Sequence, residues 1–287
     1  MTSRRIGISL SPLKSEFGPL LYSGNLELGL RTASSLGYSG VELSLLDSSL
    51  IDPEQLSDQL DEYKLAAYTI ATGQTYYADG YSLFNAEREK REKCVRRLFR
   101  HIDLAKRLNC MVILGGIRGT IVATGRERSE QERDGRECLR RCALYAGDRN
   151  VVLLLEPVNR YETNVVNTIK EGLALISQID VSSLKLLPDT FHMNIEEANL
   201  GDALVSASSL VGYVHFADSN RLAPGWGHID FANLLTALSK IEYAGPIGVE
   251  ILPKPDDLLA AGQAIKHLKH CLDASNGGQG LRQRCDE

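Results

Sequence analysis

Four apolar runs in the second half of the chain each stop at an ionisable residue. Val151-Val152-Leu153-Leu154-Leu155 stops at Glu156-Pro157, and Leu184-Lys185-Leu186-Leu187-Pro188 stops at Asp189-Thr190-Phe191-His192. The pattern recurs at Tyr213-Val214-His215 and at Ile247-Gly248-Val249-Glu250. Unbroken runs of this length, separated by helical patterns, are strands of a parallel sheet covered on both faces. Carboxylates and imidazoles at the ends of such strands lie where α/β folds keep their chemistry. Few architectures other than a strand–helix repeat accommodate four such ends in succession.

The first half of the chain repeats the alternation. Strands are read at Arg5 to Leu10, Val41 to Leu45, Leu65 to Thr72 and Met111 to Ile117. Helices are read at Leu26 to Leu36, with Gly37 as its C-cap, from the Asp52-Pro53 start, over Ala86 to Leu108, and roughly from Ser129 to Arg149. Gly73 to Asn85 reads as a loop carrying Tyr76, Tyr77, Tyr81 and Phe84, a candidate lid. Later helices are read at Asp202 to Leu210, Phe231 to Glu242 and Asp256 to Leu272. Eight strand–helix units in 287 residues predict an α/β fold, a single (β/α)8 TIM barrel over residues 1–273. The Gly-, Gln- and Arg-rich tail, 274–287, is expected to be disordered. Neither a GxGxxG after the first strand nor a Walker A motif supports a nucleotide-binding sheet.

Composition excludes several functions. A net charge of −5 offers nucleic acid no general attraction. The N-terminus has no apolar signal-peptide core, and no run is long enough to cross a bilayer, so no membrane partner is expected. Cys94, Cys110, Cys138, Cys142, Cys271 and Cys285 show no CxxC or disulfide-framework spacing and read as free thiols of a cytoplasmic protein.

Three of the six histidines, His101, His267 and His270, fall in helical patterns and read as surface or packing residues; His228 reads as structural. His215 instead shares its strand-end position with Glu156, Asp189 and Glu250. In a barrel those ends converge near the axis, where three carboxylates alone would repel one another. A divalent cation removes the conflict. Three carboxylates with one imidazole suit Mn2+ or Mg2+ better than a thiolate-type zinc site.

The motifs Glu156-Pro157-Val158-Asn159-Arg160-Tyr161-Glu162, Asp189-Thr190-Phe191-His192-Met193-Asn194, Val214-His215-Phe216-Ala217-Asp218-Ser219-Asn220-Arg221 and Gly248-Val249-Glu250 together resemble the ketose 3-epimerases. These belong to the xylose-isomerase-like barrels. The resemblance covers the C-terminal half; the N-terminal half matches only as barrel. It implies that Glu156, Asp189, His215 and Glu250 bind one divalent metal, usually Mn2+, with Mg2+ or Co2+ as alternatives. It implies that Glu156 and Glu250 transfer the proton, that His192, Arg221 and Glu162 hold a small-molecule sugar, and that the chain is a homo-oligomer, dimer or tetramer. Such an enzyme inverts the carbon next to the ketone of a ketose or keto-sugar acid by deprotonation and reprotonation through an enediolate.

Two residues stay open beside these. Glu42, at the end of strand two, either touches substrate or braces a loop. Arg118, in Gly115-Gly116-Ile117-Arg118-Gly119, is either a solvated loop arginine or a clamp for a substrate carboxylate or phosphate. An aldose–ketose (hydroxypyruvate-type) isomerase or an inosose dehydratase would use similar ligands, and a sugar-binding barrel without catalysis would not need both Glu156 and Glu250. An endonuclease IV-like nuclease would draw extra histidines from early strands. Thr69-Ile70-Ala71-Thr72 and Ile113-Leu114-Gly115-Gly116 contain neither His nor acid.

Overall fold

The computed structural model describes residues 4–15 and 18–282, with side chains up to Ala274. Its eight strands are β1 (Ile6–Leu10), β2 (Gly40–Ser44), β3 (Ala66–Ala71), β4 (Met111–Leu114), β5 (Leu153–Leu155), β6 (Leu184–Leu186), β7 (Val214–His215) and β8 (Ile247–Val249). The helices are α1 (Leu26–Leu36), α2 (Pro53–Glu62), α3 (Gly73–Asp79), α4 (Arg88–Leu108), α5 (Gly125–Gly147), α6 (Ile169–Ile179), α7 (Thr190–Glu196), α8 (Leu200–Ala207), α9 (Phe231–Lys240) and α10 (Asp257–Arg282). All strand pairs are parallel, in the order β6-β5-β4-β3-β2-β1-β8-β7. Isolated bridges Leu186–Val211 and Asp189–His215 join the two ends. The expected barrel is therefore present.

Local chemistry sets the helix ends. Gly37 closes α1 in the left-handed region at φ 82°, where a side chain would be strained. Asp52 starts α2 by accepting the amides of Glu54 and Gln55, with Pro53 at the first helical position. A capping box of Thr168 and Glu171 starts α6. Two helices fall where the sequence pattern reads loop or strand end. Both α3 and α7 have seven residues, too few for an apolar period to show.

The strands separate two cores. Outward-facing Ile8, Val41, Leu43, Ile70, Val112, Leu153 and Val249 pack beneath the helices. Each fully buried aliphatic side chain there contributes roughly 1.5–3 kcal/mol. Inside lie Tyr68, Ala71, Ile113, Leu154, Leu187 and Tyr213. The two tyrosines fit because β1, β2 and β8 face them with glycine. A Cβ on Gly7 or Gly40 would come within 2.7 or 2.5 Å of the Tyr68 ring, and one on Gly248 within 2.6 Å of the Tyr213 hydroxyl.

A bulge in β3 adds a further inward side chain. Val41 pairs with Ala67 but Glu42 pairs with Thr69, so the register slips by one residue at Tyr68. Ala67 and Ile70 face the helices, while Tyr68 fills the interior and Thr69 bonds Glu42. No helix among the described residues is long and apolar enough to cross a membrane. Five cysteines are free and buried; Cys285 and the last five residues of the expected tail lie outside the described residues.

Candidate active site and metal centre

Glu156, Asp189, His215 and Glu250 meet at the C-terminal mouth of the barrel, all buried, with one potential ligand atom from each within 4.8 Å of the others. His215 Nδ1 faces the three carboxylates, at 3.2 Å from Glu156 Oε1, 3.4 Å from Asp189 Oδ2 and 4.0 Å from Glu250 Oε2. Asp189 is held by its own helix. Oδ1 accepts the amides of Phe191 and His192 at 2.7 and 3.2 Å as the N-cap of α7, and Oδ2 is buried without a hydrogen-bond partner.

This donor set fits a hard divalent cation. Like charges about 4 Å apart repel by roughly 4 kcal/mol at an effective dielectric of about 20. An orphaned carboxylate oxygen, two further carboxylates and an imidazole nitrogen aimed at one point offset that repulsion only around positive charge. The titrations carry the same strain. Burial, with Glu156 and Glu42 nearby, pushes the Glu250 carboxyl up to about 8 against the opposing pull of His215 and Arg221. At His215 burial opposes the charge, yet the surrounding carboxylates, Glu42 foremost, raise its pKa well above the ordinary value.

Beside the cluster sit the polar groups expected to hold substrate. Asn159 donates its side-chain amide to His192 Nδ1 at 2.8 Å, so a neutral ring carries its hydrogen on Nε2. Burial lowers the His192 pKa and favours that neutral form. Arg221 donates to Glu162 Oε1 at 3.1 Å and to Glu250 Oε2 at 3.2 Å, with its guanidinium 4.9 Å from the Phe191 ring centre. Tyr77 donates to Glu162 Oε2 at 3.3 Å. Tyr77, Glu156, Glu162, His192, Arg221 and Glu250 line a cavity of about 30 Å³, the room of about one water.

A family profile described as a xylose isomerase-like TIM barrel matches residues 30–271. The chain belongs to that family. Among similar proteins, an L-ribulose 3-epimerase from Methylomonas sp. (strain DH-1) is 34% identical over 253 residues, covering 83% of this chain and 85% of the relative. A 3-dehydro-D-guloside 4-epimerase from Escherichia coli (strain K12) is 37% identical over 114 residues, 40% of this chain and 44% of the relative. A solved structure of an L-ribulose 3-epimerase aligns with a TM-score of 0.83 at 27% identity, over 97% of this chain and 98% of that one. Within the xylose isomerase-like barrels the chain is thus a ketose 3-epimerase-type enzyme, an isomerase.

Set against that family frame, the remaining candidates divide. Arg118 is not a solvated loop residue: it is fully buried, donates to the backbone carbonyl of Glu156, and keeps Nε and Nη2 unpartnered. Burial pulls its pKa down to about 10, against Glu156 and Tyr77. Its guanidinium sits against the backbone of Glu156 and does not line the cavity. Glu42 neither lines the cavity nor braces a loop; it bonds His215. Of the lid aromatics, Tyr77 reaches the cavity whereas Phe84 is buried under α5 against Gly135. His101 is buried and bonded to Ser48, and His228 ties Ser219 within its own loop. Asn159 received no role from sequence, although its place in the motif between Glu156 and Glu162 was the available signal.

Proposed function

We propose that the enzyme inverts the carbon adjacent to the ketone of an uncharged ketose or keto-sugar, with Glu156 and Glu250 exchanging its proton. The observation that carries this reading is the pair itself: both carboxylates reach the same centre and both line the same cavity. Glu156, Asp189, His215 and Glu250 would hold one divalent cation, Mn2+ by the character of its ligands. A bound cation supplies Lewis-acid polarisation of the ketone and its neighbouring hydroxyl. The Nε2–H of His192 and the guanidinium of Arg221 orient substrate oxygens, and Glu162 holds Arg221. Among the described lining residues Arg221 is the one Lys or Arg, already shared by two carboxylates, which disfavours a phosphorylated substrate.

The E. coli relative named for 4-epimerisation adds a second reading, inversion at C4 of a 3-keto sugar. Both place the reacting carbon next to a ketone, so substrate shape and not proton chemistry separates them. Turnover of a panel of free ketoses and 3-keto-glycosides by Mn2+-loaded enzyme in D2O tests the proposal. We expect one deuterium at the inverted carbon. Product with no deuterium there would point to hydride transfer and remove the two-carboxylate roles.

A further inference from the structure

We propose that Glu42 is a positioning residue for the metal centre: it holds the Nε2–H of His215 and thereby aims the Nδ1 lone pair at the cation. The proposal rests on the metal reading above, and it assigns a role to a residue that touches neither cavity nor cation. Glu42 lies on β2 and is 1% exposed. Its Oε2 is 2.8 Å from His215 Nε2 and accepts the Thr69 hydroxyl at 2.7 Å, while Oε1 accepts the Ser9 hydroxyl at 3.0 Å. Donors from β1, β3 and β7 therefore converge on one buried carboxylate.

The contact constrains the imidazole. An ionised carboxylate only accepts, so a ring nitrogen held 2.8 Å from it carries the hydrogen. In a neutral ring Nδ1 is then bare, and Nδ1 is the atom that faces Glu156, Asp189 and Glu250. The other tautomer would set a lone pair against Glu42 and an N–H against the cation. A carboxylate behind a ligating histidine fixes tautomer and ring orientation in this manner. The β3 bulge belongs to the same device, since it turns Thr69 inward beside Tyr68.

A merely structural Glu42 predicts the opposite response to substitution. A fully buried carboxylate is costly to desolvate, so the neutral isostere of Glu42→Gln would then leave stability unchanged or improved and metal affinity untouched. Under the positioning role, Glu42→Gln weakens Mn2+ affinity by about ten- to hundredfold. Thr69→Val, which keeps both partners and removes one clamp, weakens it less. Mn2+ titration of the cation-free proteins, followed by the electron paramagnetic resonance of free ion, reads this without turnover. In 15N-histidine-labelled protein the exchange-protected, hydrogen-bonded Nε2–H proton of His215 should appear in wild type and shift upfield with faster exchange in Glu42→Gln, whose amide oxygen is a weaker, uncharged acceptor. A folded Glu42→Gln with Mn2+ affinity within about twofold of wild type and the same Nε2–H signal overturns the proposal. Should Glu42→Gln fail to fold, Thr69→Val with unchanged affinity and unchanged Nε2–H signal overturns it. If wild type itself binds neither Mn2+ nor Mg2+, the metal reading and with it the aiming role fall. The Nε2–H signal then still reports whether Glu42 holds the ring.

Discussion

A carboxylate that caps a helix with one oxygen has only the other left to give, and Asp189 divides its work in that way. Oδ1 holds the first amides of α7 and Oδ2 points, unpartnered, into the candidate metal centre. The two tasks separate by substitution. Asp189→Asn keeps an oxygen for the cap and should hold its thermal midpoint, yet lose tight Mn2+ binding. Asp189→Ala should lose the binding and, in addition, about 1 kcal/mol of stability from the cap. Equal Mn2+ affinity in Asp189→Asn and wild type would move Asp189 out of the ligand set. Glu250 makes a pH prediction at the same scale. Its folded-state pKa, about 8, lies above the ordinary carboxylate value. Its contribution to the stability of the cation-free protein is therefore complete below that ordinary value and is lost as pH rises through about 8. A cation needs the ionised form, so Mn2+ affinity should climb over the same window with release of a proton. Calorimetry in buffers of different ionisation heat counts the protons released near pH 7. Glu250→Gln should release about one fewer, and an unchanged count would place the raised group elsewhere.

At the scale of elements, strands were legible and their local irregularities were not. Each apolar run ended at the residue that reaches the site, because a parallel strand buried on both faces leaves its chemistry only at its end. The seven-residue α3 and α7 were hidden, since their helical character comes from tertiary contacts and from the Asp189 cap. Likewise hidden was the β3 bulge: nothing in Ala66 to Ala71 announces that Tyr68 and Thr69 both turn inward. The burial of Arg118 was hidden for a related reason. A glycine-flanked arginine resembles a solvated loop, but Gly116 gives room to Tyr77 of α3, and the short turn after β4 folds inward over β5. The neighbouring Gly115 yields a prediction. A Cβ there would overlap Glu156 Oε2. Gly115→Ala should therefore leave the barrel folded, with an unaltered circular dichroism spectrum, and weaken Mn2+ binding by about tenfold through displacement of a ligand. Wild-type affinity in that variant would show that Glu156 has slack.

For the whole molecule, alternation and length were enough to read a single barrel, and four motifs were enough to read its family. The connections between strands were not. Ser9, Glu42 and Thr69 carry no metal-ligand spacing, yet they form the layer beneath His215. Side chains from β1, β2, β3 and β7, and from the ends of β5, β6 and β8, thus share one polar network. Closure of the ring has a less obvious aspect. Seven of the eight seams are paired strands, whereas the seam between β6 and β7 has only the bridges Leu186–Val211 and Asp189–His215. Two backbone hydrogen bonds span it, Gly212 N–H to the Leu186 carbonyl and His215 N–H to the Pro188 carbonyl, both 2.9 Å, and beyond them Thr190 exchanges two side-chain hydrogen bonds with Ala217. One of those bridges joins two residues of the candidate metal centre. A cation held by Asp189 and His215 would act as a buckle across the place where the cylinder is least stitched. The first amides to exchange with deuterated solvent in the cation-free protein should then be those of Gly212 and His215. Mn2+ should slow them far more than the amides of β2 and β3 on the opposite wall. Equal slowing around the ring would instead mean that the ion stabilises the fold without fastening it at any one point. Fastening at this seam would make occupancy of the centre a report on whether the barrel is shut.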